Sequence, residues 1–93
     1  MDLTKLSLRF NPTASYRSLG DAGIILMADS GQLYSTNASG AVFLDELQKG
    51  RSTEQAVVSV LDQFDVEQAR LEEDLTELVE YLLKENVLAE VTV

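Results

Sequence analysis

The apolar residues of this chain change their spacing once, just before the middle, and that switch constrains the fold more than any other feature. Up to about residue 36 they alternate or sit in short β-rich blocks, and beyond it they recur every three or four residues. Alternation is the period of an extended segment with one covered face, whereas the three-four rhythm belongs to an amphipathic helix. Strands come first and helices second, which implies an α+β domain.

The strand half can be divided by its turn residues. In Leu6-Ser7-Leu8-Arg9-Phe10 the apolar positions alternate until Asn11-Pro12 interrupts them. Ser15 to Leu19 forms a second segment, closed by Gly20-Asp21. Gly23 to Ala28 is too short for an independent helix and rich in β-formers, so it is expected to be a strand covered on both faces or nearly so. Asp29-Ser30-Gly31 then supplies a three-residue hairpin loop with glycine where positive φ is needed, and Gln32 to Ser35 pairs back. The last three segments make a three-stranded antiparallel meander.

Three helices follow. Thr36 or Asn37 caps the first, which runs to about Gln48 with Val42, Phe43 and Leu47 inward and Lys49-Gly50 as its stop. Gly40 in its first turn is a poor helix former, so a close backbone approach to the sheet is expected there. Ser52 and Gln55 have the spacing of a capping box for a second helix with Ala56, Val57, Val60, Leu61 and Phe64 inward. The third and longest helix is expected to begin at Asp65-Val66-Glu67-Gln68, with acids in its first turn and a stripe of Leu71, Leu75, Leu78 and Leu82. Asn86 ends it, and Val87-Leu88 turn back on the core. The order is βββααα in a single domain over residues 1–93, a length that supports one core.

Composition narrows function by exclusion. The chain has no cysteine and no histidine, which removes disulfides, thiolate ligands and the commonest general base. Ser35, Ser39 and Ser52 therefore lack a partner for nucleophilic catalysis, and the scattered glycines build no phosphate loop. The acids of Glu72-Glu73-Asp74 diverge around a helix and read as a solvated face. The expectation is a protein that is not an enzyme and has no cofactor or metal. The longest apolar run, Ile24 to Ala28, is far too short to span a bilayer, and no leader precedes it, so a cytoplasmic protein without membrane contact is expected.

The net charge of −9 is concentrated at one end. Residues 62 to 93 hold ten acids against Arg70 and Lys84, while residues 1 to 61 hold six acids against five bases. Such a field repels nucleic acid and attracts a basic partner.

Two features suggest a binding site. The last strand of the meander leaves unpaired main-chain groups at residues 32 to 36 unless the N-terminal strand or a helix covers them, and it lacks the proline and lysine that often protect such edges. Replacing Tyr34 with proline is then expected to delete one edge amide. The third helix supplies a second wall, with Arg70, Asp74 and Tyr81 along one flank of its leucine stripe. Arg70 and Asp74 are also spaced as an ordinary surface ion pair. These features fit peptide capture, with two alternatives: a winged-helix DNA-binding regulator, which the charge disfavours, or a module that dimerises through the same edge.

A resemblance covers roughly residues 6 to 90. Gly31-Gln32-Leu33-Tyr34, then Thr36-Asn37-Ala38-Ser39-Gly40-Ala41-Val42-Phe43, Gly50, Ser52 to Ala56, Asp74-Leu75 and Val87-Leu88 resemble the PqqD-like family. Thr36 stands where that family usually has leucine, and Asn86 where it often has glycine. The resemblance implies a winged-helix-like RiPP recognition element, which binds the leader of a ribosomally made precursor peptide. The implied site is Gln32, Leu33, Tyr34, Ser35 and Thr36 on the strand, with Arg70, Asp74, Leu78 and Tyr81 on the helix. The implied partners are a precursor leader peptide and a leader protease or other modifying enzyme. Asn37 to Gly40 and Ala69-Arg70 are similar to the stand-alone leader-binding subunits of lasso-peptide pathways; pathways served by radical SAM enzymes remain an alternative.

Overall fold

The computed structural model describes residues 2–91. After a short 3-10 turn at Leu3–Lys5 come β1 (Leu8–Phe10), β2 (Ala14–Leu19), β3 (Ala22–Met27) and β4 (Leu33–Thr36). The helices α1 (Ala38–Gln48), α2 (Thr53–Gln63) and α3 (Gln68–Lys84) follow, and β5 (Leu88–Glu90) ends the described chain. The expected meander is present as an antiparallel sheet in the order β2-β3-β4.

The N-terminal segment alternates as expected but does not join that sheet. Leu6, Leu8 and Phe10 are half-buried while Ser7 and Arg9 are exposed, and β1 pairs with β5 in a separate two-stranded sheet. The bonds from Asn11 N–H to the Val87 carbonyl and from Val91 N–H to the Ser7 carbonyl extend that pairing beyond both strands. The partner strand β5 was expected only as a return to the core. With three residues it is too short to carry a period of its own, so its strand character comes from β1.

The central strand corrects a second expectation. Gly23, Ile25 and Met27 are buried, but Leu26 is 43% exposed, so β3 is covered on one face and open on the other. On the open face Leu26 stands beside Leu33 of β4. The turn is also longer than expected. Met27 N–H donates to the Gln32 carbonyl, leaving Ala28 to Gly31 as the loop, with Gly31 at φ 74°.

Helix ends follow the local chemistry. The Asn37 carboxamide oxygen accepts from Gly40 N–H at 3.0 Å and caps α1, while Gly50 at φ 86° lets the chain leave it. Ser52 and Gln55 form the full capping box of α2. The third helix starts later than its sequence suggests: Gln68 is its first residue, Glu67 is the N-cap without a side-chain bond, and no acid lies in its first turn. Asn86, at φ 62°, makes the turn that follows.

All layers meet in one core of Ile25 from the sheet, Phe43, Leu44 and Val60 from α1 and α2, and Leu75, Val79 and Leu82 from α3. Val79 is fully buried and Leu78 is not, so the inward face of α3 is rotated from the pure leucine stripe. Leu78 is thereby left at the rim, towards β4.

Candidate peptide-binding site

The site begins with the parity of main-chain bonds in β4. In an antiparallel pair, residues alternate between pointing both N–H and C=O at the neighbour and pointing both away. Because Met27 N–H bonds to the Gln32 carbonyl, the register aims the main-chain groups of Gln32, Tyr34 and Thr36 at β3. Leu33 and Ser35 are the residues whose N–H and C=O face outward. No described residue hydrogen-bonds to those four groups, and neither β1 nor a helix covers them. The edge is open. It is not, however, open where the sequence suggested: the Tyr34 amide belongs to the β3–β4 ladder, and proline there would break the sheet itself.

Side chains alternate in the other sense. Tyr34 and Thr36 are half-buried on the side of α3, whereas Leu33 is 63% exposed on the opposite face. The Tyr34 ring meets the Tyr81 ring edge-on with centroids 6.0 Å apart. Its hydroxyl donates to the Glu85 carboxylate at 3.0 Å and lies 2.7 Å from Gln32 Oε1. Partial burial, then the bond to Glu85 and its charge, raise the Tyr34 phenol above its ordinary pKa. Tyr81 remains half exposed, so its ring offers an apolar surface beside the open edge.

Further along β4, a cleft of about 240 Å³ separates the strand end from α3. Ser35 and Thr36, with Ser39 and Gly40 from the start of α1, form one wall, and Asp74, Leu75 and Leu78 form the other. A Cβ on Gly40 would lie 3.0 Å from Thr36 Cβ and 3.1 Å from Leu78 Cδ2, so glycine is what allows β4, α1 and α3 to approach this closely.

Eight of the nine expected site residues border this groove or its edge. Gln32, Tyr34, Ser35 and Thr36 do so from the strand and Asp74, Leu78 and Tyr81 from the helix, while Leu33 contributes main chain and turns its side chain away. Arg70 is the exception. It lies in the adjoining acidic cleft with Glu67, Glu73 and Asp74, and it is not among the ion pairs of the described residues. Sequence reasoning missed Glu85 and the part played by Ser39 and Gly40 as cleft wall. Gly40 did carry a signal, as a weak helix former in a first turn. Among the described residues there is no cluster of acids placed to hold a metal ion and no helix long and apolar enough to cross a membrane.

The family model described as Coenzyme PQQ synthesis protein D (PqqD) matches residues 22–88, the meander from β3 onward with all three helices. The chain belongs to the PqqD family. In this PqqD family member the match spans the open strand, the groove and α3 together. Comparison with curated proteins gives no match. Among solved structures the fold is similar to that of TbiB1 in complex with the TbiA(beta) leader peptide, with a TM-score of 0.79, 18% identity, and coverage of 91% of this chain and 99% of that one. It is also similar to a lasso peptide synthetase B1 complexed with the leader peptide, with a TM-score of 0.75, 22% identity, and coverage of 89% and 98%.

Proposed function

We propose that this PqqD family member is a non-catalytic leader-binding protein, a RiPP recognition element of the lasso-peptide type. It captures a precursor leader as an added strand and presents it to a modifying or leader-cleaving enzyme. One observation carries the reading: the outward main-chain groups of Leu33 and Ser35 lie beside a groove walled by α3. An extended guest gains main-chain bonds at those two residues, which set its register, while its side chains on the α3 side meet Tyr81 and the Leu78 cleft. The proposed contact set is Gln32 to Thr36 with Asp74, Leu78 and Tyr81. Arg70 contributes from the groove's acidic end.

Similarity to two proteins solved with leader peptides bound supports this use of the edge. The acids of residues 62 to 93 favour a basic guest and count against a DNA-binding regulator. The test is fluorescence anisotropy with labelled leaders of the precursors encoded beside this gene. Saturable binding that is weakened about tenfold in Ser35→Pro supports the reading. Binding unaffected by that change excludes strand addition at β4, and a dimer that dissociates on Ser35→Pro without any leader affinity favours self-pairing.

A further inference from the structure

We infer that the cleft at the end of β4 is a subsite for one lysine or arginine side chain of the guest, and that Gly40 sets its depth. The inference rests on strand addition to β4.

A strand laid on that edge shares the pleat of β4, so its residues on the α3 side lie level with Tyr34 and with Thr36, two positions and roughly 6.6 Å apart. The first lies against the Tyr81 ring, which accepts an apolar or aromatic group. The second lies over the cleft. Its inner lining of Gly40, Leu75 and Leu78 suits a chain of methylenes, while the carboxylate of Asp74 stands exposed at its mouth. Among the described residues Asp74 has no cation within ion-pair distance, although Arg70 is one helical turn away. An apolar stem that ends in a charge is the form of lysine and arginine. A leader read here therefore carries a cation two residues from an apolar or aromatic position.

Gly40 controls the space. Its absent Cβ would fall 3.0 Å from Thr36 Cβ, 3.1 Å from Leu78 Cδ2 and 3.2 Å from Asn37 Oδ1. Thr36 is held by its pairing with Gly23, and Asn37 is held by capping α1. The Leu78 methyl is the group free to yield, and the open space beside it is the cleft it lines. Alanine at position 40 is the better helix former, so the change keeps the helix and narrows the cleft, with some strain where its Cβ presses on Thr36.

The test pans a displayed library of random peptides on the wild-type protein, synthesises the most enriched sequence, and compares it with versions carrying norleucine or alanine at the cationic position. On wild type the lysine peptide should bind roughly tenfold more tightly than the alanine peptide, and about twofold to fivefold more tightly than the norleucine peptide, the scale of one exposed ion pair. In Gly40→Ala that advantage over the alanine peptide should collapse to about twofold with helical circular dichroism retained. Asp74→Asn, a change at an exposed position, should abolish the preference for lysine over norleucine. Enriched peptides without a cationic position, or an unchanged lysine preference in Asp74→Asn, overturn the subsite and leave strand addition standing. A wild-type protein that enriches no peptide removes both.

Discussion

The two edges of the meander differ in a way that singles out one of them as the proposed site. On β2 the outward groups are those of Ala14, Tyr16 and Ser18, because the Ala28 N–H bond to the Thr13 carbonyl fixes the parity against β3. The chain covers part of that edge itself: the Asn11 carbonyl accepts from Ala14 N–H at 2.8 Å, and Gln48 Nε2 donates to the Tyr16 carbonyl at 3.4 Å. The buried Tyr16 hydroxyl, donating to the Ala41 carbonyl, pins the strand to α1. On β4 no described residue meets the outward groups, and α3 stands back far enough to leave a groove. An edge strand is a hazard unless it is covered, so an edge left open beside a shaped groove reads as an interface, whereas a partly capped one reads as structure.

The largest expected effect separates inward from outward groups within β4. Tyr34→Pro removes an amide of the ladder and strands its acceptor on Ile25, a loss of roughly 2–3 kcal/mol. In a domain of this size that lowers Tm by about 10–20 °C. Ser35→Pro, whose amide faces solvent, should leave Tm within a few degrees. Equal destabilisation in thermal melts would break the assigned parity.

The next effect separates the edges by binding. Ser35→Pro removes one main-chain bond to the guest and should weaken leader affinity about tenfold, while Ser18→Pro on the β2 edge should leave it unchanged. Isothermal titration of both variants with one leader makes the comparison.

Tyr16→Phe deletes the bond to Ala41 and should cost about 1–2 kcal/mol in urea denaturation without altering leader binding. Tyr16 also sets an alkaline limit. Burial, then the charge of Asp45, raise its pKa in the folded protein above the ordinary 10.0, so its share of stability is intact below pH 10 and declines as pH rises past that value. Tyr16→Phe should flatten that decline.

Gln48→Ala is expected to have the smallest effect. It uncovers the Tyr16 carbonyl at an exposed position and should change stability by less than about 0.5 kcal/mol. If it also produces leader binding or self-association at β2, the long side-chain bond is an effective cap.

Much of this contrast was legible in the sequence and some of it was not. The meander, the three helices, the Ser52 capping box and the Asn86 turn follow from local chemistry; the spacing that set Arg70, Asp74 and Tyr81 on one flank of α3 brings Asp74 and Tyr81 beside the groove, with Arg70 in the adjoining cleft and Leu78 of the stripe at the rim. Bond parity did not follow, because it depends on the register between strands, and that misplaced the open amides onto Tyr34. The exposure of Leu26 was hidden for a similar reason, since a continuous apolar run looks the same whether one face or two are covered. The late start of α3 reflects an Asp65–Glu67 segment suited to a first turn but left extended as the chain enters from α2. The close approach to the sheet expected at Gly40 is present against Thr36, whereas the convergence of Leu78 from α3 on the same point did not follow from the sequence.

Native-state amide hydrogen exchange by NMR on the free protein tests the open edge most directly. The Leu33 and Ser35 amides should exchange almost as fast as in an unfolded peptide, while those of Tyr34, Thr36 and Ala14 are protected, and a bound leader should slow Leu33 and Ser35 alone among the outward amides. Protection of Leu33 and Ser35 equal to that of Tyr34 in the free protein would contradict the account.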